Sequence, residues 1–341
     1  MVHPVRPTSH SCLRSAASSS VTIPSILHQS ENGEYPLPNL APRHQELIPT
    51  PLGPIKPWSE LSWPIRGYFC LTISSLVVVL GLTIMNMTTQ QGEDFSISLI
   101  QLIGIVFCMY YVTRAILQEN RQELIIFLLS VLLVMGRAII NFIVLSDKGK
   151  ASLLPRFVLI LVFGLFHVVC ASFLLRSQNM MAFRVGGALE SLQHQYFMLN
   201  LCFSMLTFDL QAQLCLCLLL LVLGLHDVSL LHSIILGFGL FWACLKVVIG
   251  IMAILKELKA LVWIFLLQNL PEVAYLIYLL YTVMNSWGAG KSYTLEAATL
   301  IGSCVSVMIK SVLFWALFHV YCSFGQGLRE RMFSSYGRID S

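Results

Sequence analysis

Past residue 60 the chain alternates long apolar blocks with short polar runs. The blocks are close to twenty residues long, the length that a hydrocarbon core roughly 30 Å thick asks of a helix. They predict spans near Gly67–Met85, Phe95–Leu117, Leu124–Leu145, Phe157–Leu175, Tyr196–Leu225, Ser233–Leu255, Leu261–Val283 and Leu295–Phe324. No strand-like alternation interrupts them, which sets aside a membrane β-barrel. The fifth block is 30 residues long and carries the polar patch FDLQAQ, so a tilted helix and a broken helix both fit it. The fold class expected is therefore an all-α integral membrane protein with about eight transmembrane helices.

Two blocks repeat. AILQENRQELIIFLL (Ala115 to Leu129) is echoed by AILKELKALVWIFLL (Ala253 to Leu267) with eight of fifteen positions identical, where Leu-rich membrane sequence gives about one or two by chance. Each copy is the end of one span, a short charged turn and the start of the next. LFHVVC in span 4 is answered by LFHVYC in span 8, and spans 1 and 5 share a Tyr-Phe-x-Leu start. The pattern predicts two parallel four-helix repeats, residues 61–195 and 196–324, related by a pseudo-two-fold axis along the membrane normal. Such duplications place a site at the interface of the halves.

Composition agrees with the blocks: 57% of residues are hydrophobic, 11% are charged and the mean hydropathy is +0.77. The few cations set the orientation. Arg66, Arg114, Arg121, Arg176, Arg184, Lys256, Lys259, Arg329 and Arg331 all fall on the side shared by both ends of the chain, against Lys148, Lys150, Arg156 and Lys291 on the other. Positive flanks resist translocation, so both termini are expected in the cytoplasm. The sequon at Asn86 then lies outside, in a loop that hugs the membrane.

Residues 1–60 are rich in Ser, Pro and His without a sustained apolar period, the composition of a disordered tail. Their acid-free start faintly resembles a mitochondrial transit peptide, but three prolines count against it. The plasma membrane or endolysosomal system is the expected location. Residues 325–341 form a basic tail suited to anionic headgroups, and its Tyr336-Gly337-Arg338-Ile339 has the Tyr-x-x-hydrophobic form that clathrin adaptors read. The expected partners are the lipid bilayer, a small solute or protons, and a clathrin adaptor; no nucleic acid is expected, and oligomeric state is not indicated.

Candidate chemistry lies at the span centres, where an ionisable group costs roughly 2.5–3.5 kcal/mol on insertion scales and faces protein or water. Arg137, Asp209, Lys246, Glu272 and Lys310 are central. Helical spacing sets Asn141 with Arg137, Gln213 with Asp209, Gln268 with Glu272, and Ser303 and Ser306 with Lys310. Asn269 and Pro271 adjoin Glu272, and the proline frees a carbonyl in mid-membrane. These residues form a candidate substrate or ion site. The structural alternative is interhelical glue in a dry bundle.

The shared histidines His167 and His319 offer a proton relay, although their copied neighbours also suit a packing motif. The spacing of His226, Asp227 and His232 does not bring two imidazoles together on one helix, and Cys215 and Cys217 do not share a helical face, so no metal is expected. The cysteines sit in or beside apolar blocks, apart from Cys12, and point to no disulfide framework. No HExxH, Gly-x-Ser-x-Gly or phosphate-cradling glycine loop is present; neither enzymatic activity nor a cofactor is expected. The expected function is a transporter or channel-like protein for a small polar or charged solute or protons. The alternative is a non-transporting scaffold or receptor-like protein whose N-terminal tail binds a partner. The midplane charges fall where the copies differ: Lys246 aligns with Cys108, Glu272 with Val134, and Arg137 with Tyr275.

Overall fold

The computed structural model describes residues 48, 50, 53–89, 93–144, 147–176, 190–223, 230–285 and 293–325. The rest of the N-terminal tail, the C-terminal tail with Tyr336 and Ile339, and the pair His226 and Asp227 lie outside them. The described chain contains eight long α-helices: α1 (Trp63–Thr89), α2 (Glu93–Leu117), α3 (Arg121–Val144), α4 (Asp147–Arg176), α5 (Glu190–Leu223), α6 (Leu230–Leu255), α7 (Lys259–Asn285) and α8 (Tyr293–Cys322). Seven of them are long and apolar enough to cross a membrane. The eighth, α7, carries Gln268, Asn269, Pro271 and Glu272 in its middle.

The long fifth block is one helix: α5 runs unbroken for 34 residues through FDLQAQ. The polar run before span 4, expected as a loop, is instead wound into the first turns of α4 from Asp147, with Pro155 inside that helix.

The two copies of the repeated line fold alike. After α2 the chain turns through Glu119 at φ 48°, and after α6 through Glu257 at φ 51°. In each turn a residue one further on donates its N–H five residues back, Asn120 to the Ala115 carbonyl (3.1 Å) and Leu258 to the Ala253 carbonyl (3.2 Å). This is the Schellman closure, which needs a left-handed residue, usually glycine. Here glutamate takes that place twice. The next helices start differently: the Asn120 side chain accepts the Gln122 N–H at 3.0 Å as an N-cap, whereas Leu258 has no such oxygen to offer.

Contacts run α1 to α2 to α3 to α4 and back to α1, and equally α5 to α6 to α7 to α8 and back to α5. Each half is thus a closed four-helix ring with its own core, one built around Tyr111, Phe127 and Ile126, the other around Phe203, Leu206, Phe265 and Leu313. The halves join where α5 packs on α2 and α3. A two-fold axis would demand the reciprocal packing of α1 on α6 and α7. Among the described residues α1 makes no comparable contact with α6 or α7, so the expected symmetric join is not what holds the halves together.

Several contacts collect at the end of the bundle that carries the two turns. Ile48 pairs with Ile55, the Lys56 N–H donates to the Leu117 carbonyl, and the Lys56 ammonium pairs with Glu119. Residues 53–60, read from composition as tail, therefore pack on the end of α2. The Gly325 N–H donates to Glu257, and Gln122 donates to the Phe197 carbonyl of α5. The start of α1, the start of α5 and the end of α8 consequently share the turn-bearing end.

Candidate functional site

The centre of α5 presents two polar faces. Residues two apart on a helix point roughly opposite ways, so Asp209 and Gln213 look into the second ring while Gln211 looks back to the first. There Tyr111 donates its phenol hydrogen to Gln211 Oε1 at 2.9 Å, and Ser130 approaches the same oxygen at 3.4 Å. These bonds tie α5 to α2 and α3.

On the other face four charges meet. Lys246 Nζ on α6 lies 2.6 Å from Asp209 Oδ2 and 2.7 Å from Glu272 Oε2. Lys310 Nζ on α8 lies 3.0 Å from Asp209 Oδ1 and 2.8 Å from Glu272 Oε2. Each ammonium touches both carboxylates, and each carboxylate touches both ammoniums. Gln213 donates to Asp209 Oδ2 at 3.0 Å and to Glu272 Oε2 at 2.5 Å. Asn269 accepts from Lys310 at 3.3 Å and donates to the Phe265 carbonyl at 2.8 Å.

The cluster is neutral, with two positive and two negative groups. Asp209, Lys246, Asn269 and Lys310 are buried, and Glu272 is the most exposed member, with 17% of its side chain accessible. A buried charge survives away from water when its partner and remaining hydrogen bonds are supplied, and here Gln213 and Asn269 supply them. Beside the cluster, Pro271 has no N–H to give the Leu267 carbonyl, and the Trp242 indole donates to the adjacent Gln268 carbonyl at 3.4 Å.

Four of the five central charges come together. The fifth, Arg137, lies half-buried on α3 within electrostatic reach of Cys215 on α5 and of Arg156, whose guanidinium donates to Gln101. All members of the cluster come from α5 to α8, inside one half rather than at the interface between halves where the site was expected. Asn141 follows Arg137 on α3 and Asn86 falls near the end of α1, but their side chains lie outside the described set.

The two histidines do not reach the cluster and do not share surroundings. His167 is buried in the first ring, 2.9 Å from Ser75 Oγ and edge-on to Phe127 and Phe166. His319 stands at the turn-bearing end among Trp315, Phe318 and His194. The nine described cysteines are free.

A second buried ion pair escaped the sequence reading. Arg114 Nη1 lies 2.9 Å from Glu123 Oε1, with Gln118 accepting from the same guanidinium at 2.8 and 3.1 Å. Both residues flank the charged turn and look like surface charges in sequence. In the fold they are buried, with Ser204 of α5 facing Glu123 and Tyr110 of α2 lying against Arg114. The available signal was that Met252 and Leu261 replace them in the other copy.

The first ring holds a revealing counterpart. An apolar cavity of about 40 Å³ lies among Cys108, Val131, Val134, Val79, Met135 and neighbouring side chains. Cys108, Val131 and Val134 occupy the repeat positions of Lys246, Asn269 and Glu272. One ring is charged at its middle where the other is greasy and slightly underfilled.

Fold and composition define a multi-pass helical membrane protein. The chain belongs to the DUF7789 family, described as a domain of unknown function, whose model matches residues 52–176 and 186–319. Each matched segment holds four of the eight helices, α8 running three residues past the second. No curated protein and no solved structure matches the chain.

Proposed function

We propose that this protein is a carrier for protons or a small cation, and that Asp209, Lys246, Glu272 and Lys310 are its exchange site. The observation that carries the proposal is the contrast between the rings. Both close in the same helix order, and the first does so with Cys108, Val131 and Val134 where the second holds Lys246, Asn269 and Glu272. Charges that a four-helix ring does not need for closure, at a cost of a few kcal/mol each, are better accounted for by use than by architecture.

Electroneutrality suggests the class of exchange. A cation entering a neutral buried cluster leaves a net charge there unless a lysine gives up a proton, so cation-for-proton exchange is the balanced step. All eight helices cross the membrane in this proposal, α7 included, since 27 residues span about 40 Å. Two tandem four-helix repeats are supported by the matching turns, the matching ring order and the two matched segments. The turn-bearing end is cytoplasmic, in the plasma membrane or endolysosomal system.

The test is flux in proteoliposomes loaded with a pH-sensitive dye, with sodium or potassium gradients imposed. Glu272→Gln and Asp209→Asn are expected to abolish cation-driven pH change, with insertion of each variant into the vesicles checked alongside because each unbalances the cluster by one charge. Wild-type flux in both variants would overturn the assignment.

Complete pairing of all four charges favours a second reading, in which the cluster is a structural lock in a scaffold. That protein would give no flux with any gradient, and removal of residues 1–60 would abolish capture of its partner.

A further inference from the structure

The surroundings of the cluster differ along the bundle axis. Toward the turn-bearing end lies the entire second core: Phe203 and Leu206 of α5, Ile254 of α6, Phe265 of α7, and Leu313 and Leu317 of α8 are its main buried members, each on that side of the charge its own helix contributes. Gly250 belongs to the same packing, since a Cβ there would stand 2.9 Å from Leu206 and 3.0 Å from Phe265. This half of the ring is closed by close-packed apolar side chains.

Toward the opposite end buried polar residues join the apolar ones, which there include Leu216, Ala243 and Leu276. Thr299, Ser303, Ser306 and Lys310 of α8 follow one another at spacings of four, three and four, which is a single helical face, and all four are buried. At about 1.5 Å per residue the stripe runs roughly 16 Å, about half the hydrocarbon thickness, ending at the Lys310 ammonium. Among the described residues the hydroxyls of Ser303 and Ser306 have no hydrogen-bond partner. Buried hydroxyls are ordinarily satisfied, and two left open on one face beside an ionic cluster call for a partner such as water or an ion shedding its water. Gln213, one turn beyond Asp209, faces the cluster from the same side.

We infer that Thr299, Ser303 and Ser306 line a one-sided access path for water and protons or a small dehydrated cation, leading to the charge cluster from the end opposite the turns, and that the apolar core from Leu313 to Leu317 is the closed gate on the turn-bearing side. The inference rests on the exchange-site proposal for its purpose, but access can be measured without flux.

The experiment uses the full chain in sealed, oriented vesicles, with the native cysteines replaced by alanine or serine. Ser303→Cys, Ser306→Cys, Leu313→Cys and Leu317→Cys are introduced singly, with Asn285→Cys, exposed at the end of α7, as a reference for reagent reaching the far end. A small cationic methanethiosulfonate that does not cross membranes is applied to either face. Ser303→Cys and Ser306→Cys should react at least tenfold faster than Leu313→Cys and Leu317→Cys when the reagent is on the face opposite the turns, and none of the four should react from the turn-bearing face. Silence at 303 and 306 while Asn285→Cys reacts overturns the path; equal reaction at 313 and 317 overturns the gate. One-sided labelling in a protein that shows no flux keeps the path and discards the exchange.

Discussion

Lys246 Nζ stands 2.6 Å from Asp209 Oδ2, and neither side chain exposes any surface. A pair so placed is held by its balance: removing one member leaves the four-charge cluster with one uncompensated charge where water cannot reach it, at about 3–5 kcal/mol. Lys246→Met should therefore lower the denaturation midpoint sharply in detergent. Lys246→Met with Asp209→Leu leaves Lys310 against Glu272 and should regain most of the loss. A double variant no more stable than the single one would show that stranded charge is not the cause.

In the first ring the cavity beside Cys108 and Val134 offers the opposite experiment. Cavity volume costs about 24 cal/mol per Å³, so filling 40 Å³ is worth at most about 1 kcal/mol. Val134→Ile should raise the thermal midpoint slightly. Cys108→Lys places an ammonium where no carboxylate lines the cavity and should prevent stable folding; a folded variant of wild-type stability would contradict the apolar character assigned to that ring.

The join between halves depends on the Tyr111 phenol, which donates to Gln211 at 2.9 Å. Tyr111→Phe removes one hydrogen bond without changing shape and leaves Gln211 with the longer contact from Ser130, a loss of about 1–3 kcal/mol. Hydrogen exchange should accelerate around residues 208–214 of α5 and remain unchanged in α7. Uniform acceleration across both rings would mean that the bond supports global stability rather than the join.

The two turns make a matched pair of capping tests. Asn120→Ala deletes the side-chain acceptor of the Gln122 N–H and should cost about 1 kcal/mol. Leu258 is exposed at the equivalent place, so Leu258→Asn adds a cap without emptying a core and should shift the midpoint upward. Shifts of the same sign in both variants would refute the equivalence of the turns.

Much of this architecture is legible in one dimension. Apolar block length gives the helices, because a chain in lipid must satisfy its backbone internally. The repeated line gives two like turns, although nothing in it announces that glutamate takes the left-handed position in both. The run before span 4 misleads because Asp147 to Ser152 reads as polar loop, yet the first turns of a helix outside the hydrocarbon tolerate polar residues. Arg114 and Glu123 mislead the other way: flanking a charged turn they look solvated, and in the fold they are buried.

The sequence by itself determined that Arg137, Asp209, Lys246, Glu272 and Lys310 must avoid lipid, and on which helical faces their polar companions lie, because the 3.6-residue period is a local property of the chain. Only the tertiary structure decided which faces meet. It brought four of the five together inside one ring and left Arg137 in the other, since ring closure pairs α5 with α6 and α8 while the join presents the opposite face of α5 to α2 and α3. Periodicity gives a face its direction; the neighbour toward which it turns is fixed by packing between segments far apart in the chain.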